Sequence, residues 1–224
     1  MKTLFCLVRH GETDWNVERR IQGQLDIDLN AAGEAQALAL RPGLSGQDFT
    51  AAYSSDLRRA WRTAELATAG LDLPPLQPLL ALRERHFGVF QGLTSAEALA
   101  RHPYVHHHHS GRSLEYDYET GETLRAFAAR VQDGLGGLAV RHPGARLLVF
   151  THGGVLDIVY RAATERDPRG PRDFPVPNAA LNWVEPGSRR GAICPAGPGL
   201  GASPTWVEAC SRHGALCPAR PGPG

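Results

Sequence analysis

Leu4-Phe5-Cys6-Leu7-Val8-Arg9-His10-Gly11 holds the reading on which the fold turns. The apolar run Leu4 to Val8 is too short for a helix and does not alternate, which is the pattern of a strand covered on both faces. Arg9, His10 and Gly11 follow at once, so polar chemistry begins where the strand stops. Arg146-Leu147-Leu148-Val149-Phe150-Thr151 repeats the pattern and runs into His152-Gly153-Gly154. Open sheets of buried strands bind ligands beyond the strands' carboxyl ends, and both histidines fall at such ends.

The segments between these strands read mostly as helices. Asn30 is a cap candidate for a helix through Ala35, Leu38 and Ala39, with Pro42-Gly43 weakening its end. Ala51-Ala52-Tyr53 is a brief strand, and Ser54-Ser55-Asp56 supplies capping side chains for a helix through Leu57, Ala60, Ala64 and Leu66 to Gly70. Residues 94–121 are polar and histidine-rich, and read as an insertion lying over something. A helix from about Glu122 to Arg141 carries Leu124, Phe127, Val131, Leu135 and Leu138 at helical spacing. Its Gly134, Gly136 and Gly137 each cost about 1 kcal/mol relative to alanine if interior. Val155 to Ala163 is a further helix and Ala180 to Val184 a last strand. Strands alternating with helices imply a three-layer α/β domain over residues 1–185, its mostly parallel central sheet covered by helices on both faces.

Composition bounds the function. The chain has 224 residues, with Lys+Arg 24 against Asp+Glu 23, a net charge of +1. That balance removes the electrostatic case for a nucleic-acid or anionic-membrane partner. No apolar run approaches the roughly 18 residues a spanning helix needs, and the start meets Arg9 too soon for a signal peptide, so a cytoplasmic protein is expected. Lys2 is the only lysine, a bias toward arginine that does not by itself identify phosphate binding. Cys6, Cys194, Cys210 and Cys217 form neither a zinc set nor a disulfide framework. Residues 186–224 change character: eight glycines, seven prolines, Glu208 as the sole acid, and no sustained period. A packed element is not expected there, and the stretch reads either as a flexible tail or as one translated out of its original frame.

Chemistry gathers in five blocks. They are Leu7-Val8-Arg9-His10-Gly11-Glu12-Thr13-Asp14-Trp15-Asn16, then Arg20-Ile21-Gln22-Gly23 with Asp26, Asp28, Leu29 and Gly33, then Ser54-Ser55-Asp56-Leu57-Arg58-Arg59-Ala60 with Thr63-Ala64-Glu65. Leu82-Arg83-Glu84-Arg85-His86-Phe87-Gly88 with Gln91-Gly92 and Gly121-Glu122-Thr123 follows, and Thr151-His152-Gly153-Gly154-Val155 closes the series. Singly each is weak: a lone histidine is more often structural, and Arg83-Glu84-Arg85 alone reads as a solvated charge cluster. Together and in this order they resemble the histidine phosphatase superfamily, the phosphoglycerate mutase-like fold, over roughly residues 3 to 184.

The resemblance implies roles. His10 is similar to the nucleophile that becomes phosphohistidine, Arg9, Arg59 and His152 to the remaining phosphate pocket, with Asn16 a further contact. Glu84 is similar to the proton donor to the leaving oxygen, and Gln22 and Gly23 to residues lining the pocket beside the substrate. Arg58 and Arg62 compete with Arg59, and the Ser55-x-Leu57-x-Arg59-Ala60 spacing selects Arg59. The family's mechanism uses no metal and no cofactor. His106-His107-His108-His109 lacks acidic or cysteine partners at zinc spacing and reads as a surface loop. Because the connection from Gln91-Gly92 to Gly121 is short, hydrolysis of a small phosphorylated substrate is expected. A 2,3-bisphosphoglycerate-dependent mutase and an inactive phosphate-binding relative remain the alternatives, and substrate specificity is expected from residues 94–120 and the surroundings of Gln22.

Overall fold

A computed structural model of the chain describes residues 2–104 and 113–185, together with the backbone of a strand at 194–196. Six strands form one sheet: β1 (Leu4–Arg9), β2 (Ala51–Ser54), β3 (Leu76–Pro78), β4 (Arg146–Thr151), β5 (Leu181–Val184) and β6 (Cys194–Ala196). Their order is β3-β2-β4-β1-β5-β6. The pairs β3/β2, β2/β4 and β4/β1 are parallel, whereas β5 runs antiparallel to β1 and β6 antiparallel to β5.

Strand periodicity sorts the core into two layers. Phe5, Leu7, Leu147 and Val149 face one side, against α6 (Leu124–Arg141) and α7 (Gly153–Ala163). Cys6, Val8, Leu148 and Phe150 face the other, against α3 (Arg41–Leu44) and α4 (Arg58–Thr68), with α2 (Ala31–Ala39) packed on α4, while the short α1 (Asp14–Val17) follows β1. The expected three-layer architecture is thus present, and every side chain of the stripe Leu124, Phe127, Val131, Leu135 and Leu138 is buried. Each such side chain contributes about 1.5–3 kcal/mol relative to exposure.

Three expectations are corrected. α2 buries Gly33 and Ala37, continued by Leu40 and Leu44, while Leu38 is 45% exposed. The cause is close approach: a β-carbon on Gly33 would lie 2.0 Å from the Glu12 carbonyl oxygen, so a small face rather than an apolar one goes inward. Ser54 and Ser55 do not cap α4, which has no side-chain cap from its own N-cap residue. Asp26 instead reaches across to accept the Arg58 backbone N–H at 2.7 Å. Finally, β6 pairs with β5 inside the stretch expected to lack packed elements. It occupies the sheet edge, where a proline such as Pro195 is tolerated because one row of backbone donors faces outward.

The insertion contributes α5 (Ser95–Arg101), capped by Thr94 and Glu97, and the aromatic pair Tyr116 and Tyr118. These pack with Ala98 on Phe87 and Phe90. Arg85 ties the segment down by donating to the Glu122 and Tyr116 carbonyls while lying 4.7 Å from the centre of the Tyr118 ring. His106–His109 lie outside the described residues. Among the described residues no helix is long and apolar enough to cross a membrane.

Candidate active site

β1 and β4 are hydrogen-bonded neighbours, and their register sets Arg9 opposite Thr151. His10 and His152, the next residue on each strand, therefore emerge side by side. Their ring centroids are 5.3 Å apart, so the two strand-end imidazoles share one site.

His10 is 3% exposed, and its Nδ1 lies 2.7 Å from the Gly11 carbonyl oxygen. A carbonyl only accepts, so Nδ1 carries the proton and Nε2 of the neutral ring carries the lone pair. Burial, then the charges of Arg59 and Arg9, push the His10 pKa well below the usual 6.5, which keeps the ring neutral. The loop is clamped on three sides. Gly11 N–H donates to Thr63 Oγ1 at 2.9 Å, Asn178 donates to the His10 carbonyl at 2.9 Å, and Gly11 meets Gly33 backbone to backbone.

His152 is fully buried, its Nε2 2.8 Å from Ser55 Oγ, and Nδ1 has no partner among the described residues. Burial first, then Arg59, lowers its pKa well below 6.5 too. Arg59 is 0% exposed and donates to the Leu25 carbonyl at 2.9 Å and the Gly23 carbonyl at 2.7 Å. Burial brings its guanidinium down to about 10, low for arginine yet still charged at neutral pH. Arg9 donates to the Val176 carbonyl. Its Nε and that of Arg59 are buried without partners among the described residues, two cationic donors awaiting an acceptor.

Glu84 lines the same cavity as His10, Arg9 and Arg59. Its Oε2 accepts the Gly154 N–H at 2.9 Å and its Oε1 the Arg85 N–H at 2.8 Å. Arg130 braces this segment by donating to the Arg83 and Glu84 carbonyls while paired with Glu122 at 2.7 Å. Arg9, His10, Asn16, Ile21, Gln22, Arg59, Glu84, Phe87, Gly153, Gly154 and Arg172 surround a cavity of about 220 Å³. Neutral imidazole, forked cationic donors and a carboxylate around one small cavity make a site suited to a tetrahedral oxyanion.

A sequence model of the histidine phosphatase superfamily, branch 1, matches residues 5–194. The chain belongs to this superfamily. It is 39% identical over 186 residues to a metal-independent phosphoserine phosphatase of Arabidopsis thaliana, covering 81% of this chain and 76% of that protein. A phosphoglycerate mutase-like protein 4 from the same plant is 40% identical over 159 residues, 70% of this chain and 69% of that one. Among solved structures, Bacillus stearothermophilus YhfR superposes with a TM-score of 0.78 at 29% identity, covering 87% of this chain and 96% of that chain.

Within this superfamily fold, His10, Arg9, Arg59, Glu84, Asn16 and Gln22 border one cavity. His152 and Gly23 do not border it. His152 packs against His10, and Gly23 offers its carbonyl to Arg59. Arg58 and Arg62 are exposed and paired with Asp28 and Glu34, which leaves Arg59 as the α4 arginine that lines the cavity. Asn16 Oδ1 accepts from the Thr13 N–H and hydroxyl, which leaves the Asn16 amide NH2 as the end free for a ligand. Gln22 donates to Thr13 Oγ1 at 2.7 Å. None of the described residues of 94–121 lines the cavity; the insertion buttresses Ile21 and Phe87 from behind. Ser55, Thr63, Asn178 and Arg172 were not singled out from sequence. Ser55 and Thr63 lie inside the motif blocks, whereas Asn178 and Arg172 lie in a segment without periodicity or motif.

Proposed function

We propose that this chain is a metal-independent phosphatase that hydrolyses small phosphate monoesters through a phosphohistidine on His10. The observation that carries the reading is the His10 Nδ1 to Gly11 carbonyl bond, which aims the proton away and leaves Nε2 as the nucleophilic atom. In the first step Nε2 forms a bond to phosphorus as the ester P–O bond breaks. Glu84 gives a proton to the leaving oxygen. Arg9, Arg59 and the Asn16 amide hold the equatorial oxygens as charge spreads over them, and His152 backs His10. In the second step water attacks phosphorus, Glu84 takes a proton from it, the P–N bond breaks and the lone pair returns to Nε2. Phosphate leaves and the enzyme is restored.

Hydrolysis rather than mutase transfer is supported by the insertion, none of whose described residues lines the cavity. The test is hydrolysis of p-nitrophenyl phosphate by the wild type and by His10→Ala, with alkaline quenching to trap an acid-labile phosphoenzyme. Turnover and phosphoenzyme in the wild type, both lost in His10→Ala, are expected. Wild-type rates in His10→Ala would refute the mechanism, and interconversion of phosphoglycerates faster than their hydrolysis would replace phosphatase with mutase.

A further inference from the structure

Cations outnumber acids among the described residues that line the cavity. Among its described lining residues Glu84 is the only acid, against Arg9, Arg59 and Arg172. Arg59 is buried and Arg9 half-buried beside His10, while the Arg172 side chain is 39% exposed and comes from the segment after α7. Arg9 and Arg59 are the arginines whose charges act on His10, which leaves Arg172 for another part of the substrate.

Arg172 is held in place by a dedicated support. Its Nε donates to Asp157 Oδ1 at 3.2 Å, and among the described residues nothing takes its two terminal nitrogens. Asp157, on α7 and 2% exposed, also binds Arg161 at 3.0 Å. Arg161 is equally buried and donates to the carbonyls of Asp167 at 2.8 Å and Pro171 at 2.9 Å. One buried ion pair on α7 thus pins the chain at both positions, and the residue after Pro171 is Arg172. Among the described residues, two guanidiniums share the Asp157 carboxylate. Burying an ion pair is costly, and an arrangement that spends one on the placement of a half-exposed arginine suggests a use for it.

We propose that Arg172 is a specificity-determining residue that receives a carboxylate on the leaving-group side of the substrate, which makes the substrate a short-chain phosphate monoester bearing an acid group. The inference rests on the phosphatase reading above. A cavity of about 220 Å³ lies below the roughly 300–1,000 Å³ of sites for larger ligands, and this favours a short acid over a nucleotide. The planar fork of arginine matches a carboxylate, and one charge-assisted contact gives about a ten-fold preference.

The test compares two substrates with the same carbon skeleton and hydroxyl: 3-phosphoglycerate, which ends in a carboxylate, and glycerol 3-phosphate, which ends in a hydroxymethyl group. The wild type should favour the former by about ten-fold or more in kcat/KM, mainly through KM. In Arg172→Gln that ratio should fall to within about two-fold of unity, and Arg172→Lys should keep part of it. An unchanged ratio in Arg172→Gln, a ratio near one in the wild type, or equal collapse in both variants overturns the inference. p-Nitrophenyl phosphate serves as the control for the underlying reading: a wild type that hydrolyses it without the preference sinks the role of Arg172 alone, and one that hydrolyses none of the three sinks both.

Discussion

Gly154→Ala tests how the proposed proton donor is held. A β-carbon at residue 154 would lie 2.1 Å from Glu84 Oε1 and 2.9 Å from its Cδ. Ordinary contact begins near 3.4 Å, so Oε1 must retreat by about 1.3 Å (3.4 − 2.1). The obstacle is a side-chain end that can swing, so the fold should accommodate the change; alanine inside a helix is about 1 kcal/mol better than glycine. The carboxyl group then loses its seat between the Gly154 and Arg85 amides. A misplacement of about 1 Å costs on the order of 10²-fold in rate, roughly 2.7 kcal/mol in the barrier. The loss should depend on the leaving group. An alkyl phosphate expels a strongly basic oxygen and needs the proton, so kcat for glycerol 3-phosphate should fall about a hundred-fold. Nitrophenolate leaves readily, so p-nitrophenyl phosphate should lose far less. Glu84→Gln should show the same selective loss, and the double variant should be little worse than Glu84→Gln, since both act on one group. Steady-state kinetics on both substrates, with thermal melting to establish folding, decides the matter. An unchanged alkyl-to-aryl ratio in a well-folded Gly154→Ala would refute the assignment of Glu84.

Stability should depend on pH through the buried imidazoles. The folded pKa values of His10 and His152 lie well below the unfolded value of 6.5, so between these limits the unfolded chain binds protons that the folded chain does not. Their contribution is present above about pH 6.5 and is lost as pH falls, by up to about 1.4 kcal/mol per pH unit for each ring. Urea midpoints at pH 7.5 and 5.5 should show the fall, and His152→Asn should make it shallower; a flat profile excludes two neutral buried rings. Gly33→Ala should destabilise by about 1–3 kcal/mol, despite the gain in helix propensity, because its β-carbon would meet the Glu12 backbone oxygen and nitrogen at 2.0 and 2.7 Å. An unchanged or raised melting temperature would refute that contact. Arg59→Lys keeps the charge but gives up the fork that holds the Gly23 and Leu25 carbonyls. It should lose at least ten-fold in kcat/KM for p-nitrophenyl phosphate, and a value within two-fold of wild type would count against the forked geometry.

What was legible in the sequence is what hydropathy and motif spacing encode. β1 and β4 are buried on both faces and therefore read as continuous apolar runs, and the polar residue after each run marked the site. The stripe on α6 was legible because large side chains fill it. The buried face of α2 was not, because Gly33 and Ala37 were selected for closeness, and small residues add almost nothing to an apolar pattern. α4 takes its cap from Asp26, a partner 32 residues away, and no local reading of Ser54-Ser55-Asp56 could locate it. β6 escaped because edge pairing uses backbone groups, which composition does not report. Arg172 escaped for the reason that makes it informative: the Asp157–Arg161 pair orders its segment, so no periodicity of its own was needed.

The electrostatics of the site follow from one requirement. A nucleophilic imidazole must stay unprotonated, while the anion it attacks demands positive charge close by. Arginine meets both needs, since it remains cationic even when burial brings Arg59 to about 10, and its field adds to the burial that holds His10 neutral. An acid in place of His152 or Arg59 would reverse this by drawing a proton onto His10. Glu84 is compatible with the arrangement because its two oxygens are anchored on the backbone amides of Gly154 and Arg85 rather than on His10. In the proposed mechanism Glu84, the one acid among the described lining residues, carries a proton to the leaving oxygen without supplying one to His10.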